Sequence, residues 1–316
     1  MSVKDRVAIV TGAGGGLGRE YALLLAVRGA KVVINDYGGT LEGQSGDVSR
    51  AQSVADEVVA AGGVAIFDGH DVSNKASALR IVERTLEAFG RVDILINNAA
   101  ISGKPSSHAD LDGPAFMRVI EIAVLGSQYM TSAVWSHMER QRHGRIIYVS
   151  SDAIFGFGAG GDCAYTASKG ATFAIARDLG RFSEQHGIKV NAILPSGSTR
   201  MGDLSEGSKF ITRTYFDAKK CAPAVVALAS DECPVSGECF TAAADRSARV
   251  TIATFPGHTH EFTPEGFIEN WTEVMGKEED IYIPKDTIDH VRYGVKLASG
   301  LEVADIPGFG IIPNST

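Results

Sequence analysis

The run Val7-Ala8-Ile9-Val10-Thr11-Gly12-Ala13-Gly14-Gly15-Gly16-Leu17-Gly18 decides the fold. Its first four residues are apolar and suit a strand buried on both faces; Tyr21-Ala22-Leu23-Leu24-Leu25 beyond it suits a buried helix. The glycines between them let the backbone turn sharply and come close to a ligand. The amino end of the helix that follows favours an anion such as a pyrophosphate. Asp36 stands 18 positions after Gly18, just past a second strand, Lys31-Val32-Val33-Ile34-Asn35. An acidic side chain there accepts hydrogen bonds from a ribose 2′-hydroxyl and repels a 2′-phosphate, and Tyr37-Gly38-Gly39 offers that phosphate no basic residue. A glycine turn alone would look the same without a ligand. Strand, turn, helix and acid together predict a dinucleotide site that prefers NAD to NADP.

Outward from this stretch the pattern repeats. Apolar runs at 64–67, 94–96, 145–149 and 189–194 read as further strands. Helical spacing joins them, with long helices expected over roughly 114–137 and 164–186. Strands buried on both faces and linked by helices predict an α/β fold: a doubly wound parallel sheet of the Rossmann type. The expected organisation is one core over 1–256 and a carboxy-terminal helix and tail over 257–316.

Composition narrows the function classes. The chain has 316 residues, 44% hydrophobic and 22% charged, which are globular proportions, and its 36 glycines follow no collagen period. No apolar run reaches the roughly 18–20 residues of a membrane helix, and the amino terminus enters a strand pattern at once, so neither a membrane partner nor a signal peptide is expected. Thirty basic against 38 acidic residues give a charge of −8 without a basic run, which argues against a nucleic-acid partner. Cys163, Cys221, Cys233 and Cys239 fit neither a zinc motif nor a disulfide scaffold, so no metal is expected and reduced thiols are. A cytoplasmic protein acting on a small molecule is the simplest expectation.

Tyr165-Thr166-Ala167-Ser168-Lys169 puts a phenol and an ammonium on one helix face. A free phenol titrates at about 10, too high for a base at neutrality. A neighbouring cation favours the phenolate and lowers that value. In an arbitrary helix such a pair is an exposed coincidence; here it opens the helix that follows a strand ending Val149-Ser150-Ser151.

With the Gly-x-x-x-Gly-x-Gly loop, Asp71-Val72 and Asn97-Asn98-Ala99-Ala100 in the same order, the chain resembles the short-chain dehydrogenase/reductase family. The resemblance implies that Tyr165 is the general acid/base. It implies that Lys169 holds the nicotinamide ribose while lowering the Tyr165 pKa, and that Ser151, rather than Ser150, orients the substrate oxygen. It assigns dinucleotide contacts to Gly12, Gly16, Leu17, Gly18, Asp36, Asp71, Val72, Asn98, Ala99, Tyr165, Lys169, Pro195 and Thr199. A substrate lid over 202–214 and a homodimer or homotetramer follow from the same resemblance. The chain departs from the pattern in places. Ser151 and Tyr165 are one position farther apart than is usual, Ala100 and Ser196 replace glycines, and Ala123 stands where the family carries a fourth catalytic residue.

Asn35-Asp36-Tyr37-Gly38-Gly39, Ala229-Ser230-Asp231-Glu232-Cys233-Pro234 and Thr263-Pro264-Glu265-Gly266-Phe267 are similar to one branch of the family. It is the (3R)-hydroxyacyl-CoA dehydrogenase domain of peroxisomal multifunctional enzyme type 2 (17β-hydroxysteroid dehydrogenase type 4) and its free-standing bacterial relatives. The branch implies a 3-hydroxyacyl-CoA substrate. A steroid or other bulky cyclic or aromatic alcohol is the alternative, and a NAD-binding subunit without turnover is a third reading. Residues 278–316 carry no part of the resemblance; their apolar segments predict docking on the core or on a neighbouring subunit.

Overall fold

The computed structural model describes residues 2–44, 46–104, 109–156, 163–197, 216–259 and 263–300. In chain order the elements are β1 (Val7–Thr11), α1 (Gly16–Val27), β2 (Lys31–Asn35), α2 (Ser49–Ala60), β3 (Val64–Asp68), α3 (Lys75–Phe89) and β4 (Ile94–Asn97). Then follow α4 (Gly113–Ile120), a π-helical turn (Glu121–Leu125), α5 (Gly126–Gln141), β5 (Gly144–Val149), α6 (Cys163–Ser183) and β6 (Ile188–Pro195). α7 (Ala222–Ala229), β7 (Cys239–Ala243) and β8 (Arg246–Val250) close the sheet.

The eight strands lie in the order β3-β2-β1-β4-β5-β6-β7-β8. All neighbours pair in parallel except β8, which returns antiparallel on β7. Period-two alternation explains the two cores. Ala8 and Val10 face one core with Val32, Ile34, Ile147 and Ile193, where α1, α2 and α7 cover the sheet. Ile9 faces the other with Val33, Leu95, Ile146 and Tyr148, beneath α3, α5 and α6. Burying a side chain such as Ile9 contributes roughly 1.5–3 kcal/mol, so both faces of each central strand must be apolar, and the sequence reads as continuous runs.

Helix ends follow local chemistry. The Asn74 side chain accepts from Ser77 N at 3.0 Å to start α3, and Gly90 at φ 76° ends it. Asp112 starts α4 in the same way through Ala115 N, at 3.0 Å. The single helix expected over 114–137 is in fact α4 and α5 joined by the π-turn, which contains the buried Ala123. Ser127 Oγ donates to the Ala123 carbonyl at 2.7 Å. The β7–β8 hairpin lies outside the strands the sequence pattern predicts.

The chain divides into two compact units, Met1–Val250 and Thr251–Thr316. In the second, Thr263 caps the helix Pro264–Glu269 by accepting from Gly266 N at 3.0 Å, and Tyr282 stacks on Tyr293 with ring centroids 3.9 Å apart.

Candidate active site

The sheet order reverses between β1 and β4, and a crevice opens at that switch point. Their pairing runs from Ala8↔Ile94 to Val10↔Ile96 and then stops. One residue on, Thr11 Oγ1 donates to Ile96 O at 3.2 Å and accepts from Asn98 N and Ala99 N, each at 3.0 Å. Asn98 Nδ2 donates in turn to the carbonyls of Thr11 (2.9 Å) and Gly12 (3.1 Å). Asn98 and Ala99 thus hold the loop mouth open, while Asn97 turns inward to Thr131 at 3.0 Å.

The glycine loop fits a dinucleotide by shape and by donors. Gly12 has φ 64°, and a Cβ on Gly18 would lie 2.3 Å from the Gly12 carbonyl oxygen. A Cβ on Gly15 would meet nothing within 4 Å, because that residue faces the cleft. The first turn of α1 has no side-chain cap, which leaves its N–H groups for a phosphate. Asp36 Oδ2 accepts from Gly14 N (2.8 Å) and Oδ1 from Gly38 N (2.6 Å). A carboxylate has about four acceptor positions, so ribose hydroxyls can still be bound. Asp71 and Val72, past β3, line the same cleft.

Two arginines near this end escaped the sequence reading. A Cβ on Gly14 would lie 3.0 Å from Cβ of Arg50, which comes from α2 rather than from Tyr37–Gly39. Arg118 of α4 lines the cleft beside Asp71, with NH2 at 3.2 Å from Asp71 Oδ2. Neither had a local signal, since each is remote in sequence from the motif it joins.

At the other end, α6 sets Tyr165 and Lys169 one turn apart. Lys169 is 3% exposed and donates from Nζ to Val149 O at 2.8 Å. Its Nζ lies 5.5 Å from the Tyr165 ring centroid. Burial lowers its pKa to about 8. Ser150 Oγ donates to Lys169 O at 2.7 Å and is committed to the fold. Ser151 Oγ accepts from Ala153 N at 3.1 Å and acts on the Tyr165 hydroxyl, so of the two serines it is Ser151 that faces the phenol. Burial raises the Tyr165 pKa; the Ser151 bond opposes this and the Asp152 carboxylate adds to it. Lys169, whose ammonium donates to Val149 O, is not among the causes of this shift.

Pro195 ends β6, and Ser196 Oγ donates to Asp152 Oδ2 at 2.6 Å, tying the β6 exit to the Ser151 turn. A Cβ on Gly197 would come 2.7 Å from Leu17 Cδ2, so this segment also meets the glycine loop. Thr199 and the expected lid over 202–214 lie outside the described residues.

Residues 6–205 match the short chain dehydrogenase family. The chain belongs to that family. It is an oxidoreductase of the short-chain type, and its sheet is of the doubly wound kind that the sequence predicts. It is 36% identical over 279 residues to the peroxisomal hydratase-dehydrogenase-epimerase of Saccharomyces cerevisiae, covering 87% of this chain and 30% of the relative. It is 38% identical over 254 residues to the peroxisomal multifunctional enzyme type 2 of Drosophila melanogaster, covering 80% and 41%. This short-chain dehydrogenase thus spans less than half the length of either. It is also 36% identical over 203 residues to the (2S)-[(R)-hydroxy(phenyl)methyl]succinyl-CoA dehydrogenase subunit BbsD of Thauera aromatica, covering 62% and 74%.

Among solved structures, a short chain dehydrogenase from Mycobacterium avium superposes with a TM-score of 0.74 at 31% identity, covering 87% of this chain and 96% of that one. The 3-ketoacyl-(acyl-carrier-protein) reductase from Brucella melitensis complexed with NADH superposes at 0.67 and 28% identity, covering 76% and 97%. No helix among the described residues is long and apolar enough to cross a membrane.

Proposed function

We propose that this oxidoreductase uses NAD to interconvert a secondary alcohol and a ketone, and that a 3-hydroxyacyl-CoA is its substrate. One observation carries the reading: Ser151, Tyr165 and Lys169 converge at the same carboxyl edge of the parallel sheet as the glycine loop and Asp36. Bound oxidised dinucleotide supplies the hydride acceptor and a nearby positive charge. Tyr165 Oη takes the hydroxyl proton of the alcohol, and Ser151 Oγ hydrogen-bonds the same oxygen. As that proton leaves, the carbinol C–H pair departs as hydride and the C=O bond forms. Lys169 holds the nicotinamide ribose and, with the cofactor's charge, offsets the burial that raises the phenol. Ala123 contributes no side-chain hydrogen bond, so the proton path past Lys169 relies on backbone groups and water.

The CoA ester is supported by the Thauera relative, whose name is that of a CoA-ester dehydrogenase subunit. NAD is supported by Asp36 and by the NADH held in the Brucella neighbour. Arg50 beside Gly14 favours a second reading, tolerance of a 2′-phosphate. Assembly as a homodimer or homotetramer, a tail from 257 onward docked on the core or a neighbour, and a reducing compartment such as the cytoplasm complete the proposal.

The test is dinucleotide reduction by the purified chain against a (3R)-hydroxyacyl-CoA, a 17β-hydroxysteroid and a simple aromatic secondary alcohol. Each is run with NAD and with NADP, and Tyr165→Phe serves as blank. Saturable turnover of the CoA ester with NAD is the expected result. Preference for a free alcohol overturns the substrate class, and equal use of NADP overturns the role given to Asp36.

A further inference from the structure

The loop after β2 is built as a tight turn. Thr40 Oγ1 accepts from Glu42 N (3.3 Å) and Gln44 N (3.2 Å), and Gly43 N donates to Thr40 O at 3.0 Å. Its base is closed by Asp47 N donating to Gly38 O at 3.0 Å, so tightly that a Cβ on Gly38 would lie 2.1 Å from Asp47 O. The turn starts on the β2 side of the cleft and is fastened on the β4 side. Gly103 N donates to Leu41 O at 3.1 Å, and a Cβ on Gly43 would lie 3.0 Å from Ile101 Cδ1 and 3.1 Å from Ile122 Cδ1. Leu41 and Gly43 line the same cleft as Asp36 and Asp71.

Arg118 sits where these segments meet. NH1 donates to Ser73 Oγ (2.9 Å), NH2 to Asp71 Oδ2 (3.2 Å), and Nε and NH2 each to Gly43 O (3.4 Å). Glu121, one turn along the helix, pairs with NH1 at 3.5 Å. Asp71 uses its other oxygen for Ser73 N (2.9 Å) and Ser73 Oγ (2.8 Å). One planar guanidinium therefore joins the turn after β3, the loop after β2 and α4, a reach that a single ammonium cannot reproduce. None of these bonds is needed to build a strand or a helix; all of them close the side of the cleft.

We propose that Arg118 is a positioning residue for the cofactor: it pins residues 38–44 as a strap across the adenosine end, and the dinucleotide leaves only when that strap lifts. The proposal rests on the dinucleotide reading above. It assigns Arg118 no part in the chemical step. Hydrogen bonds to a charged group are worth enough that losing them changes a rate on the order of tenfold.

The experiment is stopped-flow displacement of NADH from the intact chain, followed by its fluorescence, for wild type, Arg118→Met and Gly43→Val. The second variant lifts the strap by placing a side chain against Ile101, Ile122 and Arg118 Nε, while the Arg118 and Asp71 side chains themselves are kept. Circular dichroism checks that both are folded. Hydrogen exchange in cofactor-free protein reads the peptide spanning 38–44 directly. Both variants should release NADH about tenfold faster and lose protection in that peptide. Faster release in Arg118→Met alone would place its action on Asp71 and overturn the strap, as would unchanged release in both. A wild-type chain that binds neither NADH nor NADPH removes the dinucleotide reading and this proposal with it; binding with unaltered release removes this proposal alone.

Discussion

The glycine-loop side and the Tyr165 side of the candidate site are built on opposite physical terms. The first, where the proposal places the adenosine end, is shaped by backbone: glycines that admit no Cβ, uncapped N–H groups, and half-buried carboxylates held in place by amides and by Arg118. The reaction end works by exclusion of water. There Lys169 is 3% exposed with its pKa lowered to about 8, and burial raises that of Tyr165. The difference teaches that damage at the first end should be read in affinity, and damage at the second in turnover and in pH dependence.

The largest expected effect is at the reaction end. Tyr165→Phe should cut kcat by roughly 10³ or more, the scale of a lost general acid/base, with NADH affinity by fluorescence titration little changed. Equal losses in both would erase the contrast between the two ends. Gly18→Ala comes next, because its Cβ falls 2.3 Å from Gly12 O. Overpacking of that kind costs about 1–3 kcal/mol, and the contrast requires it to appear as weaker NADH binding rather than lower kcat at saturation.

Lys169→Met sharpens the comparison through stability. The lysine stays protonated up to 10.5 in the unfolded chain and up to about 8 in the fold. Between those values the unfolded chain binds more protons, so wild-type stability rises with pH, and below about 8 the full cost of burying the charge is present. That cost is roughly 3 kcal/mol, of which the bond to Val149 O returns about 1. The variant should therefore be inactive yet about 2 kcal/mol more stable at pH 7 in urea unfolding, with the gain fading toward pH 10.5. A destabilised variant at pH 7 would mean the ammonium is not a buried burden. Smallest is Asp36→Asn, expected to weaken NADH by about 1 kcal/mol and to narrow the gap to NADPH, measured as a ratio of dissociation constants.

Much of the fold was legible because the central strands β1, β2, β4, β5 and β6 are buried on both faces and the loop's Gly12 and Gly18 answer local needs. The glycine loop, Asp36 and the Tyr165–Lys169 pair are all local patterns, and the structure brings them to one edge of the sheet. What stayed hidden depends on partners remote in the chain. Arg50, Arg118 and the Ser196–Asp152 bond join segments that no spacing rule connects. The β7–β8 hairpin turns at Ala244 and Asp245, with φ 48° and 61°, without the Asn-Gly signature that marks such turns. The π-turn Glu121–Leu125 widens one turn with no proline or glycine inside it to mark the change, so the pattern read as one uninterrupted helix.

Thr11 carries a consequence for the crevice itself. A hydroxyl has one proton and two lone pairs, and this one spends all three on β4 and the two residues after it: Ile96 O, Asn98 N and Ala99 N. It behaves as the end-stop of a zip, a side chain standing in for the next rung of backbone. With no valence left over, it can neither rotate nor admit water without breaking a bond. The gape of the mouth is thus fixed by this one hydroxyl together with the two bonds that Asn98 Nδ2 returns to Thr11 O and Gly12 O.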